Sequence, residues 1–369
     1  QFLFEANALA GGSIVGVKLL FLVIEAASIA AIGWLLVGRR ADDRPAVRDA
    51  RAGMATPLAV YALNPLVFVE VAWSGHVDVV AWSLLAVGLV AWRCRTDPTG
   101  TLGAAAAVGA SVAVKFLGLM VLPLLLFAHP AREEPRRPLG SRLTTVALAL
   151  LVVGLSYVPF AGAGGDLFSG FGTYAESWRS NDGAYRAVHH LGESTLQAWA
   201  PPEATGADGQ TLFELEGLNP LYERLGWTKQ WQGETLPDTT YTAEQLAAIA
   251  GKATALVVLG LALLWCLIVG RRPVGGLILL LLALYAFAPV VHPWYVAWLV
   301  PLAALSHSRA PLAFSFTVLA AYLAWLSSRA GGPWHVPTWA VAVEYGAVAA
   351  LFLAERVARR PPPSHRLPS

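Results

Sequence analysis

Apolar runs of about 20 residues recur along the chain, and each is long enough to cross a lipid bilayer as a helix. Of the 369 residues, 56% are hydrophobic and 14% are charged, and the mean hydropathy is +0.56. A typical soluble domain carries about 25% charged residues. This composition excludes an ordinary soluble globule, a disordered chain and a nucleic-acid-binding protein. The predicted fold class is therefore all-α, a polytopic transmembrane helix bundle.

We predict about eleven membrane spans, some of them short. They cover residues 15–37, 54–71, 76–93, 101–114, 117–128, 142–160, 251–270, 274–291, 293–306, 310–328 and 336–354. Residues 161–250 are too long for a plain loop and are predicted to form a separate loop subdomain. Its end carries a capping-box pattern, Thr242-Ala-Glu-Gln245, which predicts a helix running into the next span. The predicted domains are a transmembrane bundle at 1–160, the loop subdomain at 161–250, a second transmembrane bundle at 251–354 and a tail at 355–369.

The charges alternate between the linkers and set the predicted sidedness. Eighteen of the 26 Lys and Arg residues lie in one set of linkers and in the C-terminal tail, which the positive-inside rule assigns to the cytoplasm. Residues 161–250 hold 12 of the 24 acidic residues but only four basic ones. We therefore expect 161–250 to be extracytoplasmic and the C-terminus to be cytoplasmic.

Two breaks are predicted within apolar runs that could otherwise be single helices. One helix over 101–128 would put the flanking arginine clusters on opposite sides, so two short helices meeting at Lys115 are predicted instead. A second break is predicted at His292-Pro293, because proline removes a helix hydrogen bond and disfavours helix at the preceding residue. Both breaks are expected at the outer membrane face.

Three ionisable residues, Glu70, His76 and Asp78, cluster at one turn between apolar helices. Ionisable residues at membrane depth are functional candidates by default, and an acid/base pair or a carboxylate that grips sugar hydroxyls fits this pattern. An acid at a helix N-terminus and a histidine at the bilayer edge are an equally simple explanation. Asn64 is expected to point into the same neighbourhood.

Lys115 and the segment around His292 are the next candidates. Lys115 stands alone between two apolar runs. A lone ammonium at an outward-facing break is a natural partner for a phosphate, although a lysine there could simply reach to the interface. His292 offers a hydrogen-bond donor or proton carrier, and Trp294 and Tyr295 offer two amphipathic rings. Interfacial aromatic belts would also explain the two rings.

The outer segment carries a third group, Tyr174, Trp178 and Asn181. A tryptophan near amides and carboxylates, here Asn181 and Asp182, suits a sugar, whose CH faces stack while its hydroxyls form hydrogen bonds. Packing within the loop subdomain explains the same residues equally well. His189 and Glu193 lie at helical spacing and could hold a metal, but no third ligand is evident.

Several of these short motifs resemble one superfamily of membrane enzymes. They are Tyr61-Ala-Leu-Asn64-Pro65, Ser74-Gly75-His76-Val-Asp78, Lys115 ahead of Leu122-Pro123, and His292-Pro293-Trp294-Tyr295. Together they are similar to the multipass GT-C glycosyltransferases. Within that superfamily they most resemble the bacterial polyprenyl-phosphate-mannose-dependent mannosyltransferases, which are of the glycosyltransferase family 87 type.

The resemblance implies an inverting sugar transfer on the outer side of the plasma membrane. The implied donor is a polyprenyl-phosphate-linked sugar and the implied acceptor is a lipid or glycan hydroxyl. Membrane lipids are the implied further partners, because they would surround the protein. A carboxylate would act as general base, with Glu70, His76 and Asp78 as candidate catalytic residues. Lys115, His292 and Tyr295 would bind the lipid phosphate, and Tyr174, Trp178, Asn181, Asn64 and Trp294 the sugar or acceptor. No cofactor is implied, and a divalent metal is compatible but not required.

The sequence departs from the family pattern at its beginning. Such enzymes usually carry a catalytic aspartate in the first outer loop. We expect this sequence to start near the end of that loop, at Gln1 to Glu5, and the base to lie upstream. A transporter or lipid flippase is the alternative class; it would share the buried charges but should show repeated halves with broken helices. A non-catalytic membrane subunit is a third possibility.

Overall fold

The computed structural model describes most of the apolar part of the chain. The described residues are 8, 11–38, 56, 58–127, 137–168, 179–200, 211–214, 230–231, 234–235 and 240–358. Tyr174 and Trp178, two of the predicted sugar-binding residues, lie outside these ranges, as do Glu5 and the linker 39–55.

The described chain is dominated by helices, in agreement with the predicted fold class. The helices are α1 Ile14–Gly38, α2 Pro65–Phe68, α3 Asp78–Cys94, α4 Pro98–Val114, α5 Val121–Leu126, α6 Leu139–Tyr157, α7 Gly183–Trp199, α8 Ala243–Ile268, α9 Pro273–Phe287, α10 Pro293–Val296, α11 Leu299–Ser306, α12 Arg309–Thr317, α13 Leu323–Arg329 and α14 Thr338–Ala358. Turns of 3₁₀ helix cover Phe116–Met120, Val158–Phe168 and Val318–Tyr322, and a π-helix covers Val69–Ser74. Four short strands complete the described elements: β1 Leu212–Glu214, β2 Gln230–Trp231, β3 Glu234–Thr235 and β4 Thr240–Thr242.

Within the described residues, four helical stretches are long and apolar enough to cross a membrane. They are Ile14–Leu36, Leu139–Gly164, Ala243–Ile268 and Arg309–Arg329. Five shorter apolar helices accompany them: Pro65–Ser74, Pro98–Val114, Phe116–Leu126, Pro273–Phe287 and Pro293–Ser306. The chain is therefore a helical membrane protein, while the count of about eleven spans stays a prediction.

The two predicted helix breaks are confirmed. Helix α4 ends at Val114, and Lys115 is extended, with φ −154° and ψ 126°. Helix α9 ends at Phe287, and His292 is extended ahead of Pro293, the first residue of α10. The break at His292 has a local cause, because proline disfavours helix at the residue before it. At Lys115 the extended backbone instead accompanies a side chain that enters a polar cluster described below.

The chain divides into two compact units, which are described separately. Unit 1 comprises Gln1–Val153, Gly270–Ile278 and His292–Ser369, and unit 2 comprises Gly154–Val269 and Leu279–Val291. In unit 1, α3 packs against both α1 and α4. Glycine permits the close approach of α4 to α6, because a Cβ atom on Gly109 would lie 2.6 Å from the backbone oxygen of Ala149.

In unit 2, α7 packs along α8. The ring of Tyr185 lies where a side chain at Gly251 would otherwise be, since a Cβ atom there would lie 2.6 Å from Tyr185 Cε2. The predicted capping box is confirmed: Thr242 Oγ1 accepts a hydrogen bond from the Gln245 backbone amide, and Gln245 Oε1 accepts one from the Thr242 amide. Strand β4, which pairs antiparallel with β1, leads directly into this helix.

Candidate functional site

The π-helix and the turn after it position the first group of candidate residues. The backbone amides of Gly75 and His76 both donate to the carbonyl oxygen of Glu70, at 3.0 and 2.9 Å. Gly75 has φ 74°, a left-handed conformation that glycine adopts without steric cost. The chain therefore reverses tightly between Glu70 and Asp78, and three ionisable residues fall within one turn.

Asp78 and Lys115 form an ion pair inside unit 1. Lys115 Nζ lies 2.5 Å from Asp78 Oδ1, and the Nε1 atom of Trp298 donates to the same oxygen at 3.0 Å. The Asp78 side chain is 4% exposed and that of Lys115 is 28% exposed. The sequence-based view of Lys115 as a lone ammonium that awaits an anion is therefore wrong, because Asp78 already supplies the negative charge.

Lys115 also contacts the second helix break. Its Nζ atom lies 4.3 Å from the centre of the Tyr295 ring, within the range of a cation–π interaction. The extended backbone at Lys115 takes the side chain out of the α4 helix, so that it reaches both α3 and α10. The two predicted breaks thus meet at one side chain.

A stack of three rings lies beside this ion pair. The ring of Trp294 is sandwiched between His76 and His292, with ring centres 4.1 Å apart on each side and interplanar angles of 19° and 17°. Tyr295 meets His292 edge-on at 5.5 Å. The stack fixes the planes of both imidazoles.

Glu70 lies at the other side of His76 and is fully buried. Tyr322 Oη donates to Glu70 Oε1 at 2.5 Å, while Glu70 Oε2 lies 3.5 Å from His76 Nε2. Unlike Glu70, His76 is partly exposed, with 31% of its side-chain surface accessible.

Asn64 is the N-cap residue of α2. Its side-chain oxygen accepts hydrogen bonds from the backbone amides of Leu66 and Val67 and so caps α2. Its amide nitrogen donates to Ser315 Oγ at 2.9 Å. Its expected contact with a sugar or acceptor stays a prediction.

Asn181 belongs to unit 2. It is fully buried and has a positive φ of 54°. Its neighbours in the chain form a charged network in which Asp182 pairs with Arg179 at 3.0 Å and with Arg186 at 2.9 Å. Its expected contact with sugar or acceptor stays a prediction.

His189 and Glu193, the weak metal candidates, also lie in unit 2. Their Nδ1 and Oε2 atoms are 3.8 Å apart, and Arg179 Nη1 lies 3.4 Å from His189 Nε2. Burial and the Arg179 charge lower the pKa of His189. The described residues contain no group of three His, Cys, Asp or Glu side chains able to hold a metal ion.

The structure adds two residues that sequence reasoning missed, Trp298 and Tyr322. Trp298 follows Trp294 by four residues, a spacing that would place both rings on one face of a continuous helix, although the structure has Trp298 between α10 and α11. Tyr322 carries a hydroxyl inside an apolar span, and a buried tyrosine hydroxyl usually finds a partner. Either signal could have drawn attention to them.

An all-α membrane protein with a buried cluster of carboxylates, lysine and aromatic rings is the class that fold and site define. Residues 226–356 match the family model of the MptB C-terminal domain, a domain of a mannosyltransferase family. No curated protein matches the chain. No solved structure matches it either.

The family match points to a mannosyltransferase and covers about a third of the chain. The matched segment supplies the aromatic side of the cluster: His292, Trp294, Tyr295, Trp298 and Tyr322. Glu70, His76, Asp78 and Lys115 come from the part of the chain that precedes the match.

Proposed function

We propose that the protein is a GT-C-type integral-membrane glycosyltransferase that moves mannose from a polyprenyl-phosphate donor to a lipid or glycan hydroxyl on the outer face of the plasma membrane. The match to the MptB C-terminal domain carries this proposal. It gains support from the position of the matched segment, whose His292, Trp294 and Tyr295 lie in the same cluster as Lys115.

Lys115 is proposed to bind the phosphate of the donor. Asp78 and the Tyr295 ring hold its ammonium group in place, and an ammonium has three N–H donors. A phosphate that enters the cluster would take a donor not used by Asp78. The Lys115 charge would then stabilise the lipid phosphate as it leaves. His292 and Tyr295 are proposed to contact the same phosphate.

The aromatic rings are proposed to receive the sugar and the first part of the lipid. Trp294 is held between two imidazoles, and this contact fixes the orientation of its ring. CH-rich sugar faces and prenyl chains both favour contact with such surfaces. Tyr174, Trp178 and Asn181 are proposed to add sugar or acceptor contacts from the extracytoplasmic segment, and Asn64 is proposed to add one through its side-chain amide.

A transfer assay with two donors tests the proposal. Purified protein in liposomes would receive radiolabelled mannose on polyprenyl phosphate or, in parallel, on a nucleotide diphosphate, with an alkyl mannoside as glycan acceptor and a total lipid extract as lipid acceptor. We expect label to reach an acceptor from the polyprenyl donor alone.

The same preparation discriminates the alternative class. A lipid flippase would leave the label on its carrier and move that carrier between leaflets, which a membrane-impermeant oxidant of sugars would detect. Carrier movement without mannose transfer to either acceptor would contradict the proposed function.

A further inference from the structure

The connection between α9 and the second helix break is held by a contact with a distant part of the chain. Ser180 forms a parallel bridge with Val290. The Ser180 backbone amide donates to the Pro289 carbonyl oxygen at 3.1 Å, and the Val291 amide donates to the Ser180 carbonyl oxygen at 2.9 Å. All four residues belong to unit 2. Because His292 follows Val291 in the chain, the bridge fixes the backbone one peptide bond ahead of His292.

The turn that carries Ser180 is held by ion pairs of Asp182. Two hydrogen bonds alone make a short pairing, so the position of Ser180 depends on this support. Asp182 Oδ2 accepts from Arg179 Nε at 3.3 Å and from Arg179 Nη2 at 3.0 Å, and Asp182 Oδ1 accepts from Arg186 Nε at 2.9 Å. The Asp182 side chain is 4% exposed. These buried, charge-assisted contacts are among the stronger hydrogen bonds in proteins.

The same turn is anchored to α7. Asn181 is buried and has a φ of 54°, a left-handed conformation that is uncommon outside glycine and that reverses the chain ahead of the helix. Asp182 is the N-cap residue of α7, and Arg179 Nη1 lies 3.4 Å from Nε2 of His189 on that helix. Since α7 packs along α8, the turn is fixed to a pair of helices.

We infer that Asp182 is a positioning residue for the donor site, acting through Ser180 and segment 289–291 on His292. This inference rests on the proposed function, in which His292 contacts the lipid phosphate. The ion pairs of Asp182 keep the Ser180 backbone in place, and the bridge then sets where the His292 backbone begins. Without them His292 would start from a displaced backbone, and Trp294, whose ring stacks on His292 at 4.1 Å, would move with it.

Asp182→Asn removes the charge of the side chain and keeps its shape, and Glu193→Gln on the same helix is the matched control. Misplacement by about 1 Å from a mutation far from the chemistry can cost about 100-fold in rate. We therefore expect kcat/KM for the polyprenyl-phosphate donor to fall by about 10–100-fold in Asp182→Asn, while the KM for the alkyl mannoside acceptor stays unchanged. Glu193, whose side chain is 32% exposed, should tolerate the same exchange with wild-type values for both substrates.

A disulfide in place of the bridge separates positioning from a general loss of structure. Cysteines would replace Ser180 and Val290 in protein that lacks Cys94 and Cys266, the two native cysteines. Neighbouring strands lie about 4.7–4.9 Å apart, inside the Cα–Cα range of about 4.4–6.8 Å that a disulfide needs. Oxidised glutathione should close the disulfide and restore most of the transfer rate to Asp182→Asn, and dithiothreitol should abolish this gain.

Hydrogen exchange measures the coupling without any substrate. Peptides that contain His292 should exchange faster in Asp182→Asn than in wild-type protein and slow again once the disulfide closes. Unchanged exchange in these peptides, a wild-type kcat/KM for the donor, or a closed disulfide that restores no activity would overturn the inference. A raised acceptor KM with an unchanged donor KM would overturn it as well and would favour a direct acceptor contact. Failure of the wild-type protein to transfer mannose would instead overturn the proposed function, and hydrogen exchange would still test the coupling.

Discussion

Lys115 Nζ and Asp78 Oδ1 are 2.5 Å apart and join the end of one helix to the start of another. Asp78 is the first residue of α3, and Lys115 directly follows the last residue of α4. The helix break at Lys115 frees the side chain to reach this carboxylate. The pair therefore links a sequence-predicted break to the cluster of ionisable residues.

Asp78→Asn should destabilise the protein, because it leaves the Lys115 ammonium without its anion in a largely buried place. Leaving a buried polar group unsatisfied costs about 1–3 kcal/mol, and more for a charged group. The unfolding midpoint in detergent should therefore fall clearly. Asp97→Asn is the control, since the Asp97–Arg95 pair is 44% and 43% exposed and exposed ion pairs contribute little to stability. Equal midpoints for the two variants would show that the Asp78–Lys115 pair adds no stability.

Lys115→Ala should lower mannose transfer if Lys115 binds the donor phosphate. The loss of one charge-assisted hydrogen bond costs roughly 1.5–3 kcal/mol, which corresponds to about one to two orders of magnitude in rate. Lys115→Arg keeps the charge and should retain more activity than Lys115→Ala. Transfer rates for both variants would be compared with Lys252→Ala, a lysine substitution in α8. Wild-type rates for both Lys115 variants would remove Lys115 from the phosphate site.

Local features of the fold were the most accessible to sequence reasoning. The break at His292-Pro293 and the capping box at Thr242 depend on neighbours within a few residues, whose conformational preferences are known. The membrane class follows from apolar runs, which need no knowledge of tertiary contacts. These features were predicted, and the structure contains them.

Long-range pairing was not accessible in the same way. The bond from Trp298 to Asp78 joins residues 220 positions apart, and no pattern in one sequence specifies that contact. Arg137 is a second example. The sequence analysis counts it among the basic residues of a polar linker, but in the structure its side chain is buried and donates a hydrogen bond to the backbone oxygen of Trp92. The wrong description of Lys115 as unpaired has the same origin.

Gly109→Ala should destabilise unit 1 through a steric contact between α4 and α6. The new Cβ atom would lie 2.6 Å from the backbone oxygen of Ala149 and 2.8 Å from Val152 Cβ, so a helix would have to move. Overpacking of this kind costs typically about 1–3 kcal/mol. Gly103→Ala, on the same helix, meets nothing within 4 Å and should be neutral or stabilising by up to about 1 kcal/mol. Thermal unfolding of both variants in one detergent measures the difference, and an equal response would contradict the close approach.

Labelling of single cysteines should test the sidedness on which the proposed function depends. After replacement of Cys94 and Cys266, the two native cysteines, one cysteine would be placed at Ser194, an exposed residue of α7, and another at Ala46. Segment 161–250 is acidic and the linker around Ala46 is rich in arginine, so the positive-inside rule assigns them to opposite sides. A membrane-impermeant maleimide added to intact cells should label Ser194→Cys and leave Ala46→Cys unlabelled, and permeabilisation should expose Ala46→Cys. Equal labelling in intact cells, or labelling of Ala46→Cys alone, would contradict an extracytoplasmic 161–250 and hence the proposed transfer at the outer face.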